Sequence, residues 1–457
     1  MVSLFGTSGI RGQVNEELSV ESCLQIGKAI GSTLPPHSRV SLSTDTRVSR
    51  DAIKASLASG LLSVGIDVTD LGILPTPALA LLTTELGFDA GIMITASHNP
   101  PSYNGIKLFN PDSQGFGAEQ EREIEKRYLS RQFRPTNWRE YGSLVTEEKV
   151  GERYLSTLKK KASSWKFDPH MKLVLDPGNG AACNLAPTFF QKLGFEVYSI
   201  NNEPNGLFPG RGAEPTEETL EGTIKFLNDC NANLAICFDG DADRVVFCDR
   251  QGFLGYNEMI AFISRLAVEE SSKARVVTTV ETGRLLDAAV ADLNAEVLRT
   301  KVGDVSLAYS TKELDAAIGV EAVGVYILPQ AGYYPDSFLA TLFLLSHLND
   351  VREIRDFFGY LSPLFFKKSK IPCPDSLKAK VAELCQGEAS GFEGGKINAL
   401  DGVRIDFPDS WILIRPSGTE PVIRVLAEAN SEARMRQLMA QGINLVREAI
   451  IQVGDKT

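Results

Sequence analysis

Short apolar and β-branched runs alternate with segments of helical periodicity through the first three quarters of the chain. In the first such stretch, residues 40–45, 66–72 and 90–95 predict strands, and residues 49–65 and 76–87 predict amphipathic helices between them. The run at 90–95 is apolar at almost every position, which is typical of a strand covered on both faces. The alternation therefore predicts parallel sheets flanked by helices.

The same pattern returns twice further along the chain. Residues 171–182 predict a strand and a Gly/Pro turn, and residues 234–249 predict two apolar strands around an acidic loop. A third unit begins near Gly255, with strands predicted at 275–280 and 296–301. We therefore expect an α/β protein with three similar mixed α/β domains.

The C-terminal part of the chain has a different pattern. Strands are predicted at 402–407, 410–416 and 422–429, joined by short turns and followed by a long helix at 432–450. Neighbouring strands on short turns are typical of an antiparallel α+β unit. The predicted domains are 1–150, 151–254, 255–365 and 366–457.

The composition excludes several classes of protein. The 457 residues are 43% hydrophobic and 23% charged, an ordinary globular mixture that excludes a disordered chain. With 47 basic and 58 acidic side chains, the formal charge of −11 argues against a nucleic acid or an anionic membrane as partner, but is compatible with a small anion in a local positive cleft. The N-terminus lacks a signal-peptide pattern, no apolar run approaches the ~18 residues of a membrane span, and the seven cysteines contain no CxxC pair. We expect a cytoplasmic protein.

The most informative segment is the acidic loop FDGDADR at 238–244, which lies between two apolar runs. Asp239, Asp241 and Asp243 are spaced by two, so an extended backbone would direct their carboxylates to one side. Oxygen ligands without His or Cys favour a hard ion such as Mg²⁺. An EF-hand calcium loop is excluded, because Arg244 and Arg250 occupy the positions that require Gly and Glu. The alternative is a solvated acidic turn.

A second candidate loop, TASHNPPSYNGIK at 95–107, directly follows the buried strand at 90–95. Ligands of open α/β sheets bind at the carboxyl ends of the strands. Ser97 is a candidate nucleophile or phosphate carrier, with His98 beside it and Lys107 as a nearby cation suited to proton transfer. No GxSxG motif is present, which argues against a serine hydrolase. The alternative is a surface loop with a capping serine.

A third candidate segment, RPSGTEPVIR at 415–424, follows a predicted strand. Guanidinium groups, hydroxyls and a flexible backbone together suit a phosphate. The groups concerned are Arg415, Ser417, Gly418, Thr419 and Arg424. The alternative is a tight β-turn with incidental charges.

The N-terminal segment FGTSGIRG offers one further anion contact, Arg11, and its alternative is a flexible turn. Neither GxxxxGK[ST] nor GxGxxG occurs at a strand-to-helix turn, so the usual nucleotide-binding motifs are absent from the sequence.

These four segments, in this order, resemble the α-D-phosphohexomutase family, which includes phosphoglucomutases, phosphomannomutases and phosphoglucosamine mutases. The resemblance covers essentially the whole chain. Supporting matches are DPGNGA (176–181), FPGRGAEPT (208–216) and RTKVGD (299–304). It implies three mixed α/β domains and a C-terminal TATA-binding-protein-like domain around a central cleft.

The resemblance also implies a reaction, that of an isomerase which acts as an intramolecular phosphotransferase. A phosphoserine at Ser97 would donate its phosphoryl group to a hexose monophosphate, giving a bisphosphorylated sugar whose other phosphate returns to the serine. One Mg²⁺ would be bound by a phosphoserine oxygen of Ser97 and by Asp239, Asp241 and Asp243.

Further roles follow from the same resemblance. Arg11, Lys107 and Arg244 would surround the transferring phosphoryl group, with His98 and Lys107 as candidates for proton transfer. The residues implied to bind the substrate are Gly303, Asp304, Glu321, Arg415, Ser417, Gly418, Thr419 and Arg424. The partner would be a small phosphosugar, and the chain a monomer or a homodimer.

One segment departs from the family pattern. The sugar-recognition loop usually reads GGExSG or GGExNG, but residues 319–324 here read GVEAVG, with Glu321 retained and Val323 in place of Ser or Asn. A valine cannot hydrogen-bond, and a lost polar partner costs about 1–3 kcal/mol. A glucose- or mannose-type enzyme is the leading interpretation and phosphoglucosamine mutase the alternative. A phosphosugar-binding protein without turnover and a metal-dependent phosphatase are the alternatives of other classes.

Overall fold

A computed structural model describes residues 4–168, 170–361, 364–418 and 420–454 of the chain. The described residues form four β-sheets, and helices pack against each of them.

The first sheet combines a parallel part with an antiparallel edge. Its elements and their helices are β1 (Ile10–Gln13), α1 (Val20–Thr33), β2 (Arg39–Thr44), α2 (Arg50–Ser63), β3 (Asp67–Ile73), α3 (Thr76–Glu85), β4 (Ala90–Ile94), β5 (Tyr103–Phe109), α4 (Ala118–Ser130), a 3₁₀ turn at Trp138–Glu140 and β6 (Leu144–Thr146). The strand order is β1-β5-β4-β2-β3-β6, in which the last four are parallel and the first two antiparallel to their neighbours.

The second sheet has a parallel centre and a hairpin edge. Its elements are α5 (Val150–Lys161), β7 (Lys172–Asp176), α6 (Ala186–Lys192), β8 (Glu196–Ser199), a 3₁₀ turn at Glu218–Leu220, α7 (Glu221–Asp229), β9 (Leu234–Phe238), β10 (Val245–Asp249) and β11 (Gly252–Leu254). The order is β11-β10-β9-β7-β8, with β7, β8 and β9 parallel.

The third sheet repeats this plan with four strands. Its elements are α8 (Tyr256–Ser271), β12 (Arg275–Thr279), α9 (Leu285–Val290), a 3₁₀ turn at Ala291–Leu293, β13 (Glu296–Thr300), α10 (Asp304–Glu313), β14 (Ile318–Glu321), β15 (Val325–Ile327), α11 (Ser337–His347) and α12 (Arg352–Tyr360). The order is β13-β12-β14-β15, with only β15 antiparallel to its neighbour.

The fourth sheet is antiparallel throughout. Its elements are β16 (Phe365–Pro372), α13 (Asp375–Gly387), a 3₁₀ turn at Glu388–Gly391, β17 (Lys396–Asn398), β18 (Val403–Asp406), β19 (Ser410–Pro416), β20 (Val422–Ala429) and α14 (Glu432–Gly454). The order is β16-β20-β19-β18-β17. Three mixed α/β units followed by an α+β unit confirm the predicted fold class, while the boundaries at 150, 254 and 365 stay a prediction.

One hydrophobic core runs through the first three units. It joins α3 of the first unit to the inner faces of the second and third sheets, and the buried helix α11 lies at its centre. The Phe338 ring on α11 contacts those of Tyr154 and Phe238, with centroids 5.6 and 5.1 Å away. A helix that is apolar on all sides has to be enclosed by protein, so α11 fixes the three units to one another. Within the described ranges, no helix combines the length and apolar character that crossing a bilayer requires.

Helices α1 and α2 approach closely at two glycines. A Cβ on Gly27 would lie 2.3 Å from the carbonyl oxygen of Leu57, and one on Gly60 would lie 2.2 Å from that of Leu24. Only hydrogen fits at these two positions, so the glycines set the distance between the helices.

We expect Gly27→Ala and Gly60→Ala each to lower the free energy of unfolding by about 1–3 kcal/mol, because the added methyl group forces the helices apart. Gly222→Ala in α7 is the matched control, since a Cβ there has no neighbour within 4 Å. This control should stabilise the protein by up to about 1 kcal/mol through helix propensity. Thermal unfolding followed by circular dichroism measures the difference, and equal midpoints for the three variants would contradict the close contact.

Candidate active site

Ser97 lies in the turn that follows the central strand β4 of the first sheet. Its backbone is left-handed, with φ of 51°, and the side chain is fully buried. The Ser97 amide donates a hydrogen bond of 2.8 Å to Thr95 Oγ1, and Ser97 Oγ donates one of 2.7 Å to Asp239 Oδ2. The serine hydroxyl of the first unit therefore points at the acidic loop of the second.

The acidic loop connects β9 to β10 and brings its three carboxylates together. Ligand oxygens of Asp239, Asp241 and Asp243 lie within 4.8 Å of one another, and the side chains are buried. The prediction of an extended backbone, made from the spacing of the three aspartates, is wrong. The Ala242 amide bonds the Asp239 carbonyl at 3.2 Å, and Ala242 has a φ of 57°, so a tight turn gathers the carboxylates.

Lys107 supplies positive charge to this loop. It lies on β5 opposite Met93 of β4, so a strand carries it where the sequence indicated the end of a loop. Its Nζ donates a hydrogen bond of 2.8 Å to Asp241 Oδ2 and a second one to Asp243 Oδ2. Thr76, at the start of α3, donates from Oγ1 to the same Asp241 oxygen at 2.5 Å.

Burial and electrostatic interactions shift the pKa values of these groups in different directions. Burial raises the pKa of Asp239 well above its usual value, and the charges of Asp243 and Asp241 raise it further. Burial also opposes the charge on Lys107, but Asp241 and Asp243 outweigh this effect and raise the lysine pKa. Burial acts against ionised Asp241 as well, yet Lys107 and the hydrogen bonds to that carboxylate lower its pKa.

The cluster fits a hard metal ion. Asp241 Oδ1 and Asp243 Oδ1 are buried without a hydrogen-bond partner within the described part of the chain, although their second oxygens are bonded. Buried carboxylate oxygens without partners are costly unless a cation is bound. An all-oxygen donor set favours Mg²⁺ over zinc. Asp239, Asp241, Asp243 and the Ser97 oxygen can hold such an ion.

Arg11, Arg244 and His98 surround Ser97. Arg11 Nη1 donates to Asn99 Oδ1 at 2.9 Å, the Arg244 amide donates to Asp239 Oδ1 at 3.2 Å, and His98 Nδ1 lies 3.4 Å from Ser97 Oγ. The Arg244 charge, together with burial and Arg11, lowers the pKa of His98 far below its usual value. The imidazole is therefore neutral beside the serine.

The third unit reaches the same place through Gly303, Asp304 and Glu321. The Gly303 amide donates to Glu321 Oε1 at 2.9 Å, and Ser8 Oγ of the N-terminal segment donates to Asp304 Oδ1 at 2.6 Å. Burial raises the pKa of Glu321 to about 7. Gly303 has a φ of 127°, and a Cβ there would lie 3.0 Å from the Thr7 carbonyl oxygen, so glycine is required for this contact.

The loop of the predicted sugar contact connects β14 to β15. The Val245 amide donates to the Gly324 carbonyl at 2.9 Å, which fixes this loop to the strand that follows the acidic loop. Val323 is 37% exposed, and its amide bonds the Glu321 carbonyl at 2.7 Å. An exposed apolar side chain therefore follows the buried Glu321 two residues later in the same loop.

The two arginines of the fourth unit that were predicted to bind phosphate are already paired with carboxylates. Arg415 donates from Nε to Asp401 Oδ2 at 2.8 Å and from Nη1 to Glu281 Oε1 at 3.1 Å. Arg424 Nη2 donates to Glu420 Oε2 at 3.0 Å. Thr419 lies outside the described residues.

The loop between β19 and β20 also reaches the N-terminal segment. A Cβ on Gly418 would lie 3.3 Å from Thr7 Cγ2, so this loop lies against the segment that also contacts Asp304. Ser417 Oγ accepts a hydrogen bond of 3.2 Å from the Glu420 amide. Thr7 and Ser8 thus link the groups of the third and fourth units to the cluster around Ser97.

The structure places the predicted site residues in two groups. The first surrounds Ser97 and contains His98, Lys107, Arg11, Arg244, Asp239, Asp241 and Asp243. The second contains Arg415, Ser417, Gly418 and Arg424, with Gly303, Asp304 and Glu321 between the groups. Sequence reasoning missed Arg47, Thr76 and Glu281, although Arg47 follows β2, which pairs with β4 in the same sheet. Because ligands of open α/β sheets bind at the carboxyl ends of the strands, the position of Arg47 just after β2 is the signal that indicates it.

Comparison with known proteins agrees with this arrangement. Four sequence profiles match the chain in order, each described as a phosphoglucomutase/phosphomannomutase domain: alpha/beta/alpha domain I at residues 2–135, alpha/beta/alpha domain II at 152–252, alpha/beta/alpha domain III at 255–357 and the C-terminal domain at 370–444. The chain belongs to the phosphoglucomutase/phosphomannomutase family. The resemblance to the α-D-phosphohexomutases is thereby confirmed, and this phosphohexomutase is an enzyme, an isomerase that acts by intramolecular phosphoryl transfer.

Individual relatives of this phosphohexomutase align along nearly its whole length. A "Probable phosphoglucosamine mutase" of Methanopyrus kandleri is 38% identical and covers 99% of this chain and 100% of its own. A "Phosphoglucomutase/phosphomannomutase" of Thermococcus kodakarensis is 37% identical, with 98% and 100% covered. A crystal structure of a phosphoglucomutase/phosphomannomutase family protein from Burkholderia thailandensis superposes with a TM-score of 0.85 at 26% identity, covering 98% of each chain.

We expect Mg²⁺ to stabilise the phosphohexomutase, because it neutralises the buried carboxylates. An ion bound only by the folded state adds about 2.7 kcal/mol at a concentration about 100 times its dissociation constant. Asp241→Asn should remove most of the rise in unfolding temperature that Mg²⁺ causes in the wild type. Differential scanning fluorimetry with Mg²⁺ and with chelator measures this rise.

Asp249→Asn is the matched control for the metal measurement. Like Asp241, Asp249 is buried and paired with a cation, in this case Arg355 at 2.8 Å, but it lies outside the acidic loop. This variant should lose stability and keep its response to Mg²⁺. An undiminished response in Asp241→Asn would refute the metal assignment.

Proposed function

We propose that this phosphohexomutase works through a phosphoserine at Ser97. The Oγ–P bond of the phosphoserine breaks as an O–P bond forms to a hydroxyl of a hexose monophosphate, which gives a bisphosphorylated sugar. The other phosphate of that sugar then returns to Ser97. The observation that carries the proposal is the buried Ser97 hydroxyl, bonded to Asp239 and close to the cations Arg11, Lys107 and Arg244, whose charges act on the adjacent His98.

The cations around Ser97 match the needs of phosphoryl transfer. This reaction depends mainly on alignment and on neutralising the phosphoryl oxygens, and less on a strong nucleophile. Arg11, Arg244 and Lys107 supply the charge: Arg11 bonds Asn99, Lys107 bonds Asp241, and the Arg244 guanidinium lies 3.9 Å from Asp243 Oδ1. His98 Nδ1 lies 3.4 Å from Ser97 Oγ, and Lys107 bonds the acidic loop that Ser97 also contacts. We assign to these two residues the transfer of the sugar hydroxyl proton.

A Mg²⁺ ion is the cofactor that we propose for the acidic loop. Bound by Asp239, Asp241, Asp243 and the Ser97 oxygen, it would neutralise charge on the phosphoryl oxygens. The chain's own part is to hold the carboxylates in one place, which Thr76 and Lys107 do for Asp241. The crystal structure of an Aspergillus fumigatus N-acetylphosphoglucosamine mutase of the same fold is a complex with GlcNAc-6P and magnesium.

The second group of residues is suited to the phosphate that does not react. Arg415 and Arg424 offer planar guanidinium groups, and the loop 417–419 offers hydroxyl and amide donors. A phosphate would take over from Asp401 and Glu281 the hydrogen bonds that Arg415 now donates. Substrate binding is therefore an exchange of one anion for another at this arginine.

We propose glucosamine phosphate as the preferred sugar, and glucose or mannose phosphate as the second candidate. Five of the relatives, each 38% identical, are named as probable phosphoglucosamine mutases, and one that is 37% identical carries the hexose name. Asp304 and Glu321 bring carboxyl groups of the third unit to the site, and an ionised carboxylate attracts the ammonium group of an amino sugar. Val323 offers no hydrogen bond to a sugar hydroxyl.

The purified protein is expected to carry phosphate on Ser97, and Ser97→Ala should abolish mutase activity, because it removes the hydroxyl proposed to carry the phosphoryl group. Phosphopeptide mass spectrometry and a coupled assay measure the two properties. Ser102→Ala, on an exposed residue of the same loop, is the control and should keep both. Full activity of Ser97→Ala would sink the mechanism.

The choice of sugar is tested by turnover of glucosamine, N-acetylglucosamine, glucose and mannose phosphates and of a pentose phosphate. We expect the highest kcat/KM with glucosamine phosphate, since its ammonium group gains the attraction of the third-unit carboxylates. A higher kcat/KM with glucose or mannose phosphate would instead establish the second candidate.

The same panel applied to Val323→Ser tests the loop itself. A hydroxyl at this position restores a partner for a sugar hydroxyl, and we expect kcat/KM to rise about tenfold, which corresponds to 1.4 kcal/mol. Val145→Ser, at an exposed valine on the edge strand β6, is the control and should change nothing. Identical kinetics of Val323→Ser and Val145→Ser would exclude residue 323 from sugar recognition.

A further inference from the structure

Arg47 is a fully buried arginine below the Ser97 turn, and the reaction described above does not use it. Its side chain is 0% exposed, and it lies just beyond the end of β2, next to β4 in the first sheet. The guanidinium stacks on the Phe208 ring of the second unit, 5.2 Å from the ring centroid. A buried charge with this much contact requires an explanation beyond solubility.

All five N–H donors of the Arg47 guanidinium are hydrogen-bonded, and four of them donate to backbone carbonyl oxygens of the Ser97 turn. Nη2 donates to the carbonyl oxygens of Ser97 at 2.8 Å and Asn99 at 2.6 Å. Nη1 donates to those of Pro100 at 2.6 Å and Tyr103 at 2.8 Å. The carbonyl groups of the Ser97 turn therefore converge on a single planar cation.

The fifth donor connects Arg47 to the amide side of the same turn. Arg47 Nε donates to Asp45 Oδ2 at 3.0 Å, and Thr95 Oγ1 donates to that same oxygen at 2.7 Å. Thr95 Oγ1 in turn accepts the Ser97 amide. Ser97 is thus held at its N–H by Thr95 and at its C=O by Arg47.

This double attachment maintains a conformation that the serine would otherwise avoid. A φ of 51° is left-handed, which is uncommon for residues other than glycine and persists only where the surroundings impose it. The Ser97 carbonyl is also confined on its other side, where a Cβ on Gly240 would approach its oxygen to 2.5 Å. The direction of the Ser97 Oγ therefore depends on the groups that hold this carbonyl.

We propose that Arg47 is a positioning residue for phosphoryl transfer, which fixes the Ser97 turn so that Oγ points at the acidic loop. The proposal rests on the proposed function, in which Ser97 carries the phosphoryl group. Arg47 does not touch the reacting atoms, because its five donors are occupied by the turn and by Asp45. Its effect is on alignment, and a misplacement of about 1 Å costs such a transfer on the order of 100-fold in rate.

The test compares Arg47→Ala and Arg47→Lys with the wild type in single turnovers. Rapid-quench measurement follows the phosphoryl group from phosphorylated Ser97 to glucose 6-phosphate, and back to Ser97 from glucose 1,6-bisphosphate. We expect both rates to fall about 100-fold, while KM for the sugar phosphate stays close to that of the wild type. Lysine should not rescue, since its three donors and point charge cannot match a planar fork.

Arg134→Ala is the matched control for the loss of a guanidinium that holds backbone carbonyls. Arg134 belongs to the same unit and donates to the carbonyls of Val64, Leu34 and Gly31, far from Ser97 in sequence and outside the site. It should lower the unfolding temperature and leave the transfer rates intact. Equal falls in transfer rate for Arg47→Ala and Arg134→Ala would reduce Arg47 to a merely structural residue and overturn the proposal.

Chemical rescue of Arg47→Ala and a substitution at Thr95 distinguish a loss of alignment from a loss of folding. Guanidinium chloride below denaturing concentrations should restore transfer in Arg47→Ala, and sodium chloride at equal ionic strength should not. If the Arg47 variants do not fold, Thr95→Val carries the test, because it keeps the side-chain shape and removes the hydroxyl between Asp45 and the Ser97 amide. Its transfer rate should fall about tenfold, and an unchanged rate would overturn the proposal.

The two proposals fail in different ways. Activity retained in Ser97→Ala would remove the phosphoserine mechanism and with it the role of Arg47. Normal transfer to and from Ser97 in Arg47→Ala would leave the mechanism standing and refute only the positioning role. A rise in KM with unchanged kcat would likewise refute it, because alignment acts on the transfer step.

Discussion

The burial of three carboxylates against a serine hydroxyl is the constraint from which the arrangement of this enzyme follows. Asp239 and Asp241 are 0% exposed and Asp243 is 5% exposed. Removing such charges from water costs several kcal/mol for each ion, and their repulsion adds to that cost. The chain meets it with Lys107 on β5 of the first sheet, with Arg244 at the end of the loop, and with two carboxylate oxygens left open to a cation.

The same constraint explains why the acidic loop is held by several units of the protein. Thr76 of the first unit bonds the side chain and the backbone of Asp241. From the third unit, Ser337 Oγ bonds the Ala242 carbonyl at 2.6 Å. Carboxylates that repel one another would move apart if the loop were free, so contacts from outside the second sheet keep them within reach of one ion. Preorganisation of this kind reduces the rearrangement needed during the reaction.

Sequence patterns predicted most of the parallel strands and the acidic loop, because both have strong local signals, but they missed the parallel strands β6, β8 and β14. The apolar run at 90–95 became β4, and the strands around FDGDADR became β9 and β10. β5 gave no such signal, since it contains Asn104 and Gly105, which are poor strand formers. A Cβ on Gly105 would lie 2.4 Å from the Ile10 carbonyl oxygen, so the residue that weakens the pattern is the one that lets β1 approach.

Some residues of the candidate site were predictable from local sequence motifs, whereas others depend on contacts between distant parts of the chain. Ser97, Lys107 and the aspartates belong to short motifs with recognisable chemistry. Arg47 bonds backbone carbonyls that lie 50 to 56 residues away, and Glu281 accepts a hydrogen bond from Arg415, 134 residues away. No local sequence pattern contains such pairs. The turn at Ala242 was also missed, because a spacing of two suits both an extended strand and a turn, and only tertiary contacts decide between them.

The overall charge of −11 is compatible with the proposed binding of an anionic phosphate, because carboxylates hold the arginines that we propose would bind it. Arg415 is 4% exposed and already bonded to Asp401 and Glu281, and Arg424 is bonded to Glu420. Buried guanidinium groups without partners would destabilise the fold, so carboxylates hold them in the absence of substrate. A phosphate with two charges competes for these donors better than a neutral sugar does, because it supplies both the charge and the bidentate geometry that the carboxylates provide. In the proposed binding mode, selection for the phosphate would arise from this competition, and an acidic surface would not oppose it, since screening weakens long-range repulsion at physiological salt.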